Sequence, residues 1–182
     1  MSPRGRRAAE SAGTVPINPV AIDIFLQPGD VYFGDRDTRI RTVLGSCVSI
    51  TFWHPQRLLG GMCHYMLPGR SGAVAVARDG RYADEAVSLL PDEMRAAGTQ
   101  PHEYRVKLFG GGRMFSFAEG NGALDIGSRN IETGRSLLRR HGLETAGEHL
   151  AGAGHRSIIF DVATGDVWVR HMPELAGLQN VA

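Results

Sequence analysis

A chain of 182 residues, 42% hydrophobic and 21% charged, is long enough to bury a core as one domain and fits neither a disordered chain nor a coiled coil. Twenty Lys and Arg against nineteen Asp and Glu leave a net charge of +1, so no overall field draws the chain to nucleic acid. No apolar run approaches the ~20 residues of a bilayer span, which excludes insertion in a membrane, and the N-terminus lacks the apolar stretch of a secretory signal, so a cytoplasmic location is expected. Two cysteines, Cys47 and Cys63, have no CxxC or other zinc-ligand spacing and are expected as free thiols. Glycine is the outlier, 24 residues at nearly twice the usual share of ~7%, which predicts many tight turns or close backbone approaches.

Residues 1–20 are rich in Ser, Pro, Gly, Arg and Ala without periodicity and read as a flexible arm, with a single domain over 21–182. Short runs of strand character follow at Ala21–Leu26, Asp30–Phe33, Ile40–Leu44, Val48–Trp53 and Leu58–Met66, punctuated by Pro28-Gly29, Gly45-Ser46, His54-Pro55 and Gly60-Gly61. Gly69–Gly80 is aperiodic and reads as a loop, a candidate lid because it directly follows an apolar strand. Arg81–Ala97 has apolar residues at helical spacing, with Pro91 expected to end or kink the helix. Glu103–Phe109 alternates as a strand and stops at Gly110-Gly111-Gly112.

A second amphipathic helix is predicted over Asp125–His141, its apolar face drawn from Ile126, Ile131, Leu137 and Leu138. Leu143–Leu150, Ser157–Val162 and Val167–Met172 read as closing strands, the last two joined as a hairpin by Ala163-Thr164-Gly165-Asp166. Many strands with two main helices give an α+β domain.

Cys47 closes the run RTVLGSC, where an apolar strand meets Gly45-Ser46. Such a thiol is either a small buried hydrophobe or a nucleophile; converging backbone N–H groups at the glycine turn would lower its pKa and cradle an oxyanion. A nucleophile needs a base, and His64 lies seventeen residues on, a spacing that lets two antiparallel strands joined at His54-Pro55 bring the side chains together. The alternative for His64 is a strand histidine satisfied by a backbone partner. A papain-type arrangement would need His155 or His171, and neither sits in a run that suggests a built site. Gly110-Gly111-Gly112 lacks the Lys-Ser/Thr of a phosphate loop and reads as a tight turn, while Arg70, Arg78 and Arg81 read as a solvated loop or a means to steer an acidic partner.

Taken together, TVLGSCVSITF, GGMCHYMLP, GGGRMF at Gly110–Phe115 and IGSRN at Ile126–Asn130 resemble the chemoreceptor glutamine deamidases, the CheD family of bacterial chemotaxis, over about Ala21 to Met172. The resemblance implies a three-layer α/β sandwich with mixed, largely antiparallel sheets. It also implies a protein-glutamine glutaminase in which Cys47 is the nucleophile, His64 its base and a threonine upstream of the cysteine the third catalytic group. Methyl-accepting chemotaxis receptors would be the substrates and a CheC-type phosphatase a further partner; no metal or organic cofactor is required. The chemistry expected is a thiolate–imidazolium pair that forms a thioester and releases ammonia. A non-catalytic adaptor binding receptors or a CheC-type phosphatase is the alternative function.

Three positions depart from the family pattern. Counting back from Cys47 aligns the family threonine with Arg41, whereas the threonine present is Thr42, five residues before Cys47 and on the opposite face of an unbroken strand. Assigning Thr42 to the site therefore predicts a break in strand geometry between Thr42 and Cys47, at Gly45. Cys63 stands where the family often has Asn, and reads as structural. The family's late Gly-Gly turn is Ala151-Gly152-Ala153-Gly154 here.

Overall fold

A computed structural model describes residues 21–70, 77–114 and 126–173. The arm at 1–20 and much of the candidate lid, 71–76, lie outside the described residues. Described in chain order are β1 (Ile22–Phe25), β2 (Val31–Gly34), β3 (Thr38–Leu44), β4 (Val48–His54), β5 (Leu59–Tyr65), α1 (Ala83–Ala96), β6 (Arg105–Gly110), α2 (Ile126–Arg140), β7 (Thr145–Leu150), β8 (His155–Asp161) and β9 (Val167–Met172).

The strands form two sheets, one in the order β1-β3-β8-β9 and one in the order β2-β5-β4-β6-β7. β1 with β3 and β6 with β7 are parallel, and the other pairings are antiparallel. Strand alternation then builds two cores. Val48, Ile50, Phe52, Cys63 and Tyr65 point from the five-stranded sheet toward Ala86, Val87 and Leu90 of α1 and Ile131, Leu137 and Leu138 of α2. On the other face, Met62 and Phe109 meet Ile40, Leu44, Ile158 and Phe160 of the four-stranded sheet. The result is an α+β sandwich of three layers: helices, five-stranded sheet, four-stranded sheet.

Two helix expectations are corrected. α1 runs through Pro91 without a break, although the proline removes the N–H that would bond Val87. Complete or near-complete burial of Ala83, Ala86, Val87, Leu90 and Met94 outweighs a local cost of ~3 kcal/mol, since each large apolar side chain contributes roughly 1.5–3 kcal/mol. Ile126 is exposed rather than part of the α2 core face, which is instead Gly127, Asn130, Ile131, Gly134, Leu137 and Leu138. The periodicity is helical, but three of its six positions are not apolar, which hid them from a hydrophobic pattern.

Arg156 on β8 is fully buried. Its guanidinium donates to the carbonyls of Gly110, His149 and Ala151, tying the ends of β6 and β7 to the four-stranded sheet. Arg156→Met removes all three of these hydrogen bonds, so we expect a loss of about 2–3 kcal/mol, read as a lower denaturant midpoint at unchanged slope.

Among the described residues no helix is long and apolar enough to cross a membrane. Nor is the loop cation cluster free to steer a partner: Arg70 pairs with Asp79 and Glu85, Arg78 with Asp92, and Arg81 with Asp79.

Candidate active site

β3 and β4 belong to different sheets, so Gly45, Ser46 and Cys47 carry the chain across the sandwich. That crossover is the break between Thr42 and Cys47 that the assignment of Thr42 requires. β3 turns Thr38, Ile40, Thr42 and Leu44 inward and leaves Arg41 exposed.

Three successive carbonyls hold the crossover. The Gly45 carbonyl accepts from the Gly112 N–H at 2.8 Å, that of Cys47 from the Gly111 N–H at 2.8 Å, and that of Ser46 from the Asn130 side chain at 3.0 Å. The glycine run is thus a clamp on the cysteine segment. Gly110 sits at φ +116°, and a Cβ there would lie 2.2 Å from the Cys47 carbonyl oxygen, so only glycine fits. The 110–114 segment is braced in turn by Arg113, whose N–H donates to the Gly152 carbonyl at 2.8 Å and whose carbonyl accepts from the Gly154 N–H at 2.9 Å. In this brace Ala151 takes φ +58°, a left-handed conformation that costs a side-chain-bearing residue roughly 1–2 kcal/mol.

His64 lies on β5 directly opposite Ser49 of β4, and the Cys47 position is two residues beyond Ser49. Opposed residues share a face, so His64, Ser49 and Met62 look toward the four-stranded sheet. Cys47 packs, partly buried, against that same inter-sheet cluster. From the facing sheet comes Thr42, whose hydroxyl oxygen is 2.8 Å from His64 Nδ1 and which donates its own proton to the Leu26 carbonyl at 2.8 Å. A hydroxyl with its one proton committed accepts from the imidazole, so Nδ1 carries the hydrogen. The lone pair is then on Nε2, which is buried and meets no hydrogen-bond partner among the described residues.

Burial acts on both groups in the direction of neutrality. It raises the Cys47 thiol above its ordinary value, only partly opposed by the residue's own backbone N–H. Burial lowers His64 to about 4, against smaller opposing effects of the Leu26 carbonyl and Asp30. Both shifts favour the neutral thiol and imidazole over the thiolate–imidazolium expected from sequence. Cys63, fully buried, is pushed up to about 12 and its Sγ contacts the Ile50 carbonyl at 3.9 Å, which suits a packed, inert thiol.

The family profile described as CheD chemotactic sensory transduction matches residues 66–171, more than half of the chain. A protein of Dechloromonas aromatica named Probable chemoreceptor glutamine deamidase CheD 3 is 49% identical over 147 residues, covering 81% of this chain and 86% of its own. This chain belongs to the CheD family. The Probable chemoreceptor glutamine deamidase CheD of Pseudomonas savastanoi pv. phaseolicola is 50% identical over 157 residues, covering 85% of this chain and 88% of its own. The crystal structure of the Bacillus licheniformis hypothetical protein YfiH has a TM-score of 0.42 at 19% identity, covering 65% of this chain and 49% of that one, too distant to argue from.

Three other histidines of this CheD chain are engaged away from this pair. His54, expected in a turn with Pro55, ends β4 buried, with its ring edge-on to Tyr104 at 5.2 Å and its Nδ1 accepting from the Arg57 N–H at 3.3 Å. His171 is exposed and its Nε2 is 2.9 Å from the Ala153 carbonyl, and its ring meets that of His149. Sequence reasoning assigned no role to Asn130 or Arg156. A polar residue at a core position of an amphipathic helix was the signal for the first, and an Arg alternating with Ile158 and Phe160 for the second.

Proposed function

We propose that this chain is a chemoreceptor glutamine deamidase, converting glutamine side chains of methyl-accepting receptors to glutamate with release of ammonia. The single observation that carries the chemistry is the buried, unpartnered Nε2 of His64, held in the base tautomer by Thr42 on the inter-sheet face it shares with Cys47. In this reading Nε2 takes the thiol proton as Sγ adds to the carboxamide carbon, and the carbonyl π pair moves onto oxygen. The imidazolium gives its proton to the amide nitrogen, the C–N bond breaks, and ammonia leaves a thioester. Water then loses a proton to Nε2 as it adds, the C–S bond breaks, and the proton returns to sulfur. The net reaction is carboxamide plus water to carboxylate plus ammonium.

Two free thiols accord with the cytoplasm as its compartment. The family resemblance supports a CheC-type phosphatase as a second partner. Incubating the chain with purified receptor and measuring intact receptor mass and ammonia tests the reading. One amide-to-acid mass step per modified glutamine, absent with Cys47→Ala, is expected; binding without a mass change would mean an adaptor, and backbone cleavage a protease.

Thr42 acts through His64, and its replacement has a bounded effect. Thr42→Val keeps shape but removes the hydroxyl, which should lower kcat by roughly tenfold, the equivalent of about 1–2 kcal/mol, while Thr42→Ser restores most of it. An equal loss in both variants at unchanged folding would remove Thr42 from the site.

A further inference from the structure

We propose that Asn130 is a positioning residue: its carboxamide fixes the Ser46–Cys47 peptide so that the Cys47 N–H donates to the oxyanion formed when the thiol adds to the substrate amide. The inference rests on the deamidase reading above and deepens it. Asn130 Nδ2 donates at 3.0 Å to the Ser46 carbonyl and at 2.7 Å to the Met66 carbonyl, which belong to the residue before the nucleophile and to the one two beyond the base. Continued by one rung, the β4–β5 register would set Cys47 opposite Met66. The planar amide of α2 bridges the two segments there instead.

A trans peptide points its C=O and N–H in opposite directions. With the Ser46 carbonyl turned toward α2, the Cys47 N–H is turned away from α2, to the side of the sheet on which Cys47 packs. Among the described residues no backbone carbonyl accepts from that N–H, whereas the carbonyls of Gly45, Ser46 and Cys47 all have donors. That N–H belongs to the same residue as the reacting sulfur, and the short side chain between them keeps the two close. A donor held beside a nucleophile and, among the described residues, without a backbone acceptor is what a tetrahedral oxyanion requires.

Asn130 is also a poor choice for the fold alone. It is fully buried in a helix face otherwise made by Gly127, Ile131, Gly134, Leu137 and Leu138, and its Oδ1 meets no partner among the described residues. An unpaired buried carbonyl oxygen is destabilising, so the residue is better explained by what its two N–H groups hold. Its main chain is gripped as well: Tyr65, next to the base, donates its hydroxyl to the Asn130 carbonyl at 2.8 Å. α2 is thereby set at the height where the amide reaches both carbonyls.

The test uses Asn130→Asp and Asn130→Leu in the full chain, with purified receptor as substrate and iodoacetamide as a probe of Cys47. Alkylation is a displacement at saturated carbon that forms no oxyanion, so it separates thiol reactivity from oxyanion stabilisation. We expect kcat for deamidation to fall roughly 100-fold with KM within about twofold, and the Cys47 alkylation rate to stay within about threefold. Wild-type kcat in either folded variant overturns the proposal, and so does a parallel collapse of alkylation, which would make Asn130 a brace for the turn as a whole. Should both variants fail to fold, the wild-type chain carries the test. A short peptide bearing the aldehyde analogue of glutamine adds to Cys47 as a thiohemiacetal, and the amide proton of Cys47 must then move downfield; an unmoved amide overturns the proposal. Cys47→Ala measured alongside tells the two failures apart, because deamidation surviving in that variant defeats the deamidase reading itself, whatever Asn130 does.

Discussion

Cys47→Ala should abolish ammonia release from receptor and leave the melting transition close to wild type. The residue is only partly buried at the rim of the inter-sheet cluster, so losing one sulfur atom removes little packing, while no other group on that face replaces the nucleophile. Cys63→Ala should do the reverse. Its sulfur is fully buried against the helix-facing core, and its loss should cost about 1–2 kcal/mol with turnover per folded molecule within about twofold of wild type. Labelling separates the thiols without mutation. At pH 8 a thiol pushed up to about 12 exposes roughly one part in ten thousand as thiolate and is also shielded, so iodoacetamide should modify Cys47 alone in the native chain and both residues once unfolded. Loss of turnover to the same extent in both alanine variants would mean a shared role for the thiols and would end the assignment of Cys47 as sole nucleophile.

What the sequence revealed of this site was local, and what it hid was carried by the third dimension. Cys47 and His64 were legible because a glycine turn and a two-strand spacing lie within twenty residues of chain. Thr42 was ambiguous because alternation counted along one strand favours Arg41; the ambiguity vanishes once β3 and β4 are seen to lie in opposite sheets, with Thr42 inward beside Ile40 and Leu44. Asn130 and Arg156 act on carbonyls 84 and 46 residues away in sequence, contacts that no periodicity reports. The glycine run at 110–112 was read as a turn near the site, but its hold on the Gly45 and Cys47 carbonyls needed coordinates. The same holds for the protonation states: motif chemistry suggested an ion pair, whereas burial shifts both groups toward neutrality.

That neutrality gives His64 a pH signature. An ordinary histidine near 6.5 would place the acid limb of deamidation close to that value, whereas His64 at about 4 keeps Nε2 unprotonated down to mildly acidic pH. The kcat/KM profile should therefore be flat from about pH 5.5 to neutrality, with an acid limb near 4; the alkaline limb should follow the raised Cys47 thiol, because a preformed thiolate leaves no proton for the departing nitrogen. Stability moves with it. Because the folded pKa lies below the unfolded one, the unfolded chain binds the proton more readily. The contribution is then complete above about 6.5 and is lost as pH falls toward 4, roughly 3 kcal/mol in all. His64→Phe should remove that slope from a series of denaturant midpoints, and His64→Ala should lower kcat by roughly a thousandfold. His54→Ala should instead cost stability, through its buried contacts with Tyr104 and the Arg57 N–H, and His171→Ala should cost little of either. An acid limb at 6 to 7 that persists in His64→Ala would assign the base to another histidine and leave the Thr42 hydrogen bond without a catalytic purpose.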